Sequence, residues 1–132
     1  MIVKPVGKNA LITNPLSDQI NILTKESGTG VFVSTLVTLS GGNRGLVELI
    51  IDGNKVVSTN LFAAITQGLT QSNYAGIIVS KSSNNGFSLA IQFNEPLLYE
   101  KDFQLHIIPG HDSGIVQVTA HTILGSGCKY PA

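Results

Sequence analysis

The feature that most constrains this chain is the alternation of apolar and polar residues with a period of two. From Val31 to Ser40, one set of alternate positions is occupied by Val31, Val33, Thr35, Val37 and Leu39. Successive side chains of a β-strand point to opposite faces, so this pattern predicts a strand with one buried face. Isoleucine and valine, which favour strands, are frequent along the chain. The sequence therefore predicts an all-β fold.

Two apolar runs on either side of Asp52-Gly53 predict a β-hairpin over Leu46–Ser58. Asp-Gly is typical of the two-residue turns whose twist matches that of the paired strands. With these two residues in the turn, Leu49 is expected opposite Val56. The predicted buried face of the hairpin consists of Val47, Leu49, Ile51 and Val56.

Further strands are predicted in pairs. Ala75–Ser80 is expected to pair with Phe87–Asn94. Phe103–Ile108 is expected to pair with Ile115–Leu124. Segments rich in turn-forming residues join the members of each pair. Pro96 is expected to end the strand before it, because proline cannot donate a hydrogen bond within a sheet.

Residues 60–69 depart from the period of two. Their apolar residues recur at helical spacing after possible capping residues, which predicts one short helix there. A further strand is predicted over Ile20–Thr24. Together these segments indicate an antiparallel β-sandwich or jelly roll of about eight strands with at most one short helix. The expected organisation is an extended N-terminal arm over residues 1–19, a sandwich domain over 20–124 and a flexible C-terminal tail over 125–132.

Charge is low and balanced. Eight basic and eight acidic side chains give a net charge of zero, and charged residues make up only 12% of the chain. This balance removes the electrostatic basis for binding nucleic acid or an anionic membrane. No apolar run is long enough to cross a membrane, and the first residues do not resemble a signal peptide, so we expect a protein that is not secreted and stays in the cytoplasm or assembles there.

The residues available for chemistry are few. The chain has three histidines without the spacing of a metal site and one cysteine, Cys128, that cannot form an internal disulfide. It has no phosphate-binding glycine loop and no nucleophile motif. We therefore expect no catalysis, no cofactor and no metal.

One polar constellation follows from the predicted pairing of the last two strands. With Ile108 opposite Ile115, the outward positions of both strands would share one face. That candidate face consists of Asp102, Gln104, His106, Gln117, Thr119 and His121. Three interpretations are open: a solvated sheet face, a contact between subunits, or a site for a metal or other ligand.

Two segments resemble small jelly-roll accessory proteins of tailed phage particles. They are Leu46–Val57, which contains the Ile-Asp-Gly hairpin, and Glu95–Ile107, in which a proline and apolar residues precede an extended strand. The resemblance covers about a third of the chain and brings no site residues with it. It implies a structural role in a virion, often as a trimer attached to a capsid or tail and in contact with other virion proteins.

Two functions therefore remain. The first is a self-associating capsid or tail accessory subunit of a virion assembled in the host cytoplasm. The second is a ligand-binding sandwich module, with carbohydrate as its ligand. The low charge fits the first, because uncharged polar groups cost less to bury against another copy than ions do.

Overall fold

A computed structural model describes residues 2–15, 19–41, 45–60, 77–83, 86–110 and 114–127. Within these ranges the chain forms nine strands and no helix. They are β1 (Ile2–Thr13), β2 (Asn21–Ser27), β3 (Gly30–Ser40), β4 (Gly45–Ile51), β5 (Asn54–Asn60), β6 (Ile77–Ser83), β7 (Gly86–Tyr99), β8 (Asp102–Pro109) and β9 (Gln117–Gly127). The described part of the chain therefore has no helix that could cross a membrane.

The strands form two antiparallel sheets. The five-stranded sheet has the order β1-β9-β3-β7-β6, and the four-stranded sheet has the order β2-β8-β4-β5. Without β6, the ladders β4·β5, β3·β7, β2·β8 and β1·β9 nest inside one another along the sequence. This is the arrangement of one long hairpin rolled into two facing sheets, which is a jelly roll. The predicted antiparallel sandwich is confirmed.

The core lies between the two sheets. Phe32 of the five-stranded sheet stacks on Phe103 of the four-stranded sheet, with ring centroids 5.4 Å apart. The centroid of the Tyr99 ring lies 5.8 Å from that of Phe103, with the two rings tilted by 33°. Alternate residues of β4 and β8 complete the core from one sheet and alternate residues of β9 complete it from the other. Burying such side chains is the main source of stability in a sandwich of this kind.

The predicted hairpin is confirmed, but its register differs. Asp52 and Gly53 both have positive φ, 52° and 82°, as a type I′ turn requires. A bulge then shifts the ladder, so that Leu49 lies opposite Val57. Val57 is buried and Val56 is 44% exposed. The prediction that Val56 belongs to the buried face is therefore wrong, because a bulge moves the following residues to the other face.

A second bulge changes β3 and β7. Phe32 pairs with Leu97 and Ser34 pairs with Gln92, so the ladder skips Val33 and several residues of β7. As a result Phe32, rather than Val33, is fully buried. Pro96 does not end its strand as predicted. It lies in the irregular part of β7, where the missing N–H disturbs no regular pairing.

The pairing predicted for the last two strands is wrong. β8 lies between β2 and β4, whereas β9 lies between β1 and β3 in the opposite sheet. The chain crosses from one sheet to the other after β8 instead of turning back on itself. The predicted pairing of the strands that are now β6 and β7 is confirmed, and so is the strand predicted near Ile20–Thr24.

The predicted arm is extended, but it belongs to the sandwich. β1 forms an edge of the five-stranded sheet and pairs with β9 along most of its length. At the other end of the chain, β9 continues to Gly127, so the first residues of the predicted tail are strand. The predicted helix lies outside the described residues, apart from Asn60 at the end of β5. Cys128 also lies outside them.

The turn between β7 and β8 is hydrogen-bonded to two other turns at one end of the sandwich, one of which contains Asp52. The Asp52 carboxylate accepts hydrogen bonds from the backbone N–H groups of Glu100, Lys101 and Asp102 at 3.0, 2.7 and 3.1 Å. The N–H of Gly28, in the turn between β2 and β3, donates to the Lys101 carbonyl at 2.8 Å. The N–H groups of Lys101 and Glu100 stabilise the charged carboxylate and hold the pKa of Asp52 below its ordinary value.

We expect Asp52→Asn to lower the melting temperature most at neutral pH. The carboxylate of the folded protein stabilises it above the ordinary aspartate pKa, and this contribution is lost as pH falls through the depressed folded value. The difference in melting temperature between the two proteins should therefore shrink between pH 7 and pH 3, as measured by circular dichroism. Glu100→Gln, which removes a carboxylate from the same region, is the control. A constant difference would contradict the role of the charge.

Candidate functional site: an uncharged sheet face

Strand β9 lies between the edge strand β1 and the central strand β3 of the five-stranded sheet. Its alternate residues Val118, Ala120 and Leu124 are buried against the core. The residues between them therefore point away from the core, and they include Gln117, Thr119 and His121. Ladders to β1 on one side and β3 on the other set the position of each of these side chains.

Two leucines flank the outward residues of β9. Leu11 of β1 pairs with Thr119, and Leu36 of β3 pairs with His121. Leu11 is 64% exposed and Leu36 is 46% exposed, although both are large apolar side chains. Together with Asn9, Thr38 and Gln117 they line a shallow depression of about 500 Å³ on the sheet surface.

The outer surface around this depression has no charged side chain along residues 9–13 of β1, 117–123 of β9, 34–40 of β3 and 88–92 of β7. We call it the uncharged face. Its residues alternate with those of the core along each strand. They are Asn9, Leu11, Thr13, Ser34, Leu36, Thr38, Ser40, Ser88, Ala90, Gln92, Gln117, Thr119, His121 and Ile123.

Hydrogen bonds hold parts of the uncharged face in place. Nδ1 of His121 is hydrogen-bonded to Oδ1 of Asn9. A Cβ atom at Gly7 would lie 3.0 Å from Cε1 of His121, so the glycine leaves room for the ring to lie across β1. The hydroxyls of Thr38 and Ser88 are 3.4 Å apart across neighbouring strands.

The six residues predicted to share one face lie on two. Gln117, Thr119 and His121 belong to the uncharged face, while Asp102, Gln104 and His106 lie on β8 in the other sheet. The prediction failed because it assumed that β8 and β9 are neighbours. The three residues on β8 do contact one another. Gln104 Nε2 donates to Asp102 Oδ2 at 3.3 Å, and Gln104 Oε1 lies 2.6 Å from His106 Nε2.

Glu48 lies beside the three polar residues of β8, and it was not among the residues predicted to form a site. It lies directly opposite His106 in the ladder between β4 and β8 and is only 2% exposed. Lys55 Nζ lies 2.9 Å from Glu48 Oε2, and the Ser58 hydroxyl donates to the same oxygen at 3.3 Å. The predicted hairpin contains Glu48 and Lys55, but alternation assigns Glu48 to an exposed position and gives no signal of its burial.

His106 is buried beside these charges. Its Nδ1 atom has no hydrogen-bond partner and is shielded from solvent. Burial lowers the pKa of His106, while the Glu48 carboxylate opposes this effect and Lys55 and Lys25 add to it. The described residues nevertheless bring no three His, Cys, Asp or Glu side chains into an arrangement that could hold a metal ion.

Comparison with known proteins gives little further information. No protein-family model matches the chain, and neither does any curated protein. One similar solved structure is described by the words "Bacillus endospore appendages form a novel family of disulfide-linked pili". It is 7% identical with a TM-score of 0.38, over 97% of this chain and 92% of that chain. A likeness at that TM-score supports no conclusion about this protein.

We expect Lys55→Met to lower the free energy of unfolding by about 1–3 kcal/mol, because it leaves a buried carboxylate without its cation. Lys55 itself is partly exposed, which keeps the effect below that of a fully buried pair. The double variant Glu48→Leu/Lys55→Met should recover most of the loss. The free energies of unfolding of the single and the double variant are measured by urea unfolding.

Lys8→Met is the matched control for that experiment. Lys8 forms an ion pair with Glu26 at 3.2 Å, but both side chains are partly exposed. Its removal should cost less than about 1 kcal/mol. Equal losses for Lys8→Met and Lys55→Met would contradict the importance of burial.

His106 should make the protein less stable in mild acid. Because the pKa of His106 is lowered in the folded state, the unfolded chain binds this proton more readily, and stability falls as pH drops through the ordinary histidine value of about 6.5. Urea unfolding between pH 7.5 and pH 5 should show a smaller loss for His106→Gln than for the unaltered protein. His121→Gln is the control. It retains His106 and should therefore still show the part of the stability loss that protonation of His106 causes. Identical profiles for His106→Gln and the unaltered protein would refute this assignment.

Proposed function

We propose that the protein is a non-enzymatic structural subunit that associates with further copies of itself through the uncharged face. The observation that carries this proposal is the absence of acidic and basic residues other than His121 from the residues assigned to that face, together with the exposed Leu11 and Leu36. The particle we propose is a tailed phage, in which the subunit would be a capsid or tail accessory protein. That part, and a trimeric state, depend on the resemblance of the two segments Leu46–Val57 and Glu95–Ile107.

Burial of the uncharged face is favourable in physical terms. Association would remove the apolar surface of Leu11 and Leu36 from contact with water. This burial is the main driving force for association. The amide and hydroxyl groups around them can form hydrogen bonds across an interface, at a smaller desolvation cost than charged groups would carry. Two identical uncharged surfaces also do not repel each other electrostatically.

The uncharged face can supply a substantial part of a stable contact. Four strands spaced about 4.8 Å apart, each contributing about five to seven residues at about 3.3 Å, cover roughly 400 Å² in projection. A standard interface buries about 800 Å² of accessible surface on each partner, and side chains make accessible area larger than projected area. The face would therefore form the central part of one interface.

Carbohydrate binding is the second candidate. The depression of about 500 Å³ offers amide, hydroxyl and imidazole groups from Asn9, Gln117, Thr119 and His121 that could hydrogen-bond to sugar hydroxyls. A protein of this kind would remain a monomer and bind glycans through these residues. Loss of glycan binding in Gln117→Ala, with an unchanged monomer mass, would favour this alternative.

We expect Leu36→Lys to dissociate the assembly, because it would bury a charge in the centre of the uncharged face. The matched control is Val56→Lys, whose parent residue is 44% exposed against 46% for Leu36 but lies in the other sheet. Light scattering at several concentrations should show a lower mass for Leu36→Lys only, with unchanged circular dichroism spectra. A monomeric unaltered protein at tens of micromolar would refute self-association. An equal effect of both variants would refute the assignment to this face.

A further inference from the structure

We infer that β1 is exchanged between copies, so that β1 of one subunit pairs with β9 of a second. This inference rests on the proposed self-association and specifies how two subunits are joined. It follows from three observations: how little β1 buries, what β9 requires, and how the backbone is arranged after β1.

Strand β1 contributes little to the core of its own subunit. Among residues 5–13 no side chain is buried, and only Ala10 and Ile12 are partly covered against the core. Leu11 is 64% exposed. The strand is held mainly by its ladder to β9, and an identical ladder can form with β9 of another copy. The Lys8–Glu26 ion pair can also be formed again with the other subunit.

Strand β9 needs a partner on the side where β1 lies. β3 occupies its other side, and its inward residues, such as Val118 and Ala120, are part of the core. Without β1, β9 would expose a row of unpaired backbone groups next to that core. A second copy of β1 matches this edge in register and in the side chains on both faces.

The backbone after β1 favours an extended form. Asn14 has a φ of 54° and is followed by Pro15. Asparagine tolerates the left-handed region better than most residues but less well than glycine, and a residue before proline prefers extended backbone. In the closed form the Asn14 N–H donates to the Val116 carbonyl at 2.8 Å. An extended hinge would remove the unfavourable φ, and short strained hinges favour domain swapping.

The test uses a cysteine pair on the inward side of the ladder. Ala10 and Ala120 are directly paired, and both face the core, so a neighbour bound only to the uncharged face cannot reach them. Opposite residues in an antiparallel ladder lie within the distance that a disulfide spans. Single variants Ala10→Cys and Ala120→Cys are prepared as full chains that also carry Cys128→Ser. They are unfolded together, refolded and oxidised.

Exchange predicts a covalent species of twice the chain mass on a non-reducing denaturing gel of the mixed single variants. Absence of that species, with an internal disulfide in the double variant Ala10→Cys/Ala120→Cys, would overturn exchange. If light scattering then still shows an oligomer, the proposed function stands while this inference fails. A monomer would refute both. Ile12→Cys with Val118→Cys, also directly paired, replaces the first pair if either single variant does not fold.

The hinge gives an independent measurement. Asn14→Gly permits a positive φ without steric cost, so this substitution stabilises the closed form relative to the exchanged form. We expect the cross-linked fraction to fall in this background, by less than the roughly fivefold that about 1 kcal/mol would give, because asparagine already tolerates this region. An unchanged fraction would overturn the role of the hinge.

Discussion

The Asp52 carboxylate is the interaction on which the arrangement of the two sheets depends most directly. It lies at the tip of the long hairpin, in a turn where both residues have positive φ. From there it binds the backbone of the connection that carries the chain from β7 in one sheet to β8 in the other. A carboxylate can accept hydrogen bonds from several N–H groups at once, and at this end of the sheet it takes the place of a strand partner for those groups. One side chain thus links the turn between β4 and β5 to the connection between β7 and β8, where the chain passes from one sheet to the other.

The alternation of residues predicted which side chains face the core, but not which strands are neighbours. In β8 and β9 most of the residues predicted to face the core do so, as the burial of Phe103 and Val118 shows, but Val116, which was predicted to face the core, is 51% exposed. The pairing of β8 with β9 was predicted wrongly, because the chain crosses to the opposite sheet between these two strands. The bulges at Val33 and Val56 were also missed. A bulge adds one residue to a strand without any change in composition that would reveal it.

The candidate site was predicted in part for the same reason. The outward positions of Gln117, Thr119 and His121 follow from alternation alone, whereas the leucines beside them come from β1 and β3 and require the tertiary pairing. The low number of charged residues was visible in the composition of the chain. That one sheet face lacks them was not, because this depends on which strands are neighbours. Glu48 shows the opposite case. A charged residue at an outward position becomes buried because neighbouring strands and Lys55 surround it.

The position of β9 between β1 and β3 has a consequence for how the protein is made. The ribosome delivers the chain from its N-terminus, so β1 and β3 emerge long before the strand that separates them. The described five-stranded sheet therefore cannot close until β9 has been synthesised, and contacts this distant in sequence form slowly. Throughout that interval the strand with which β1 pairs in the folded protein is not yet available in its own chain. The order of synthesis thus leaves the first strand available to a neighbour on the same messenger RNA.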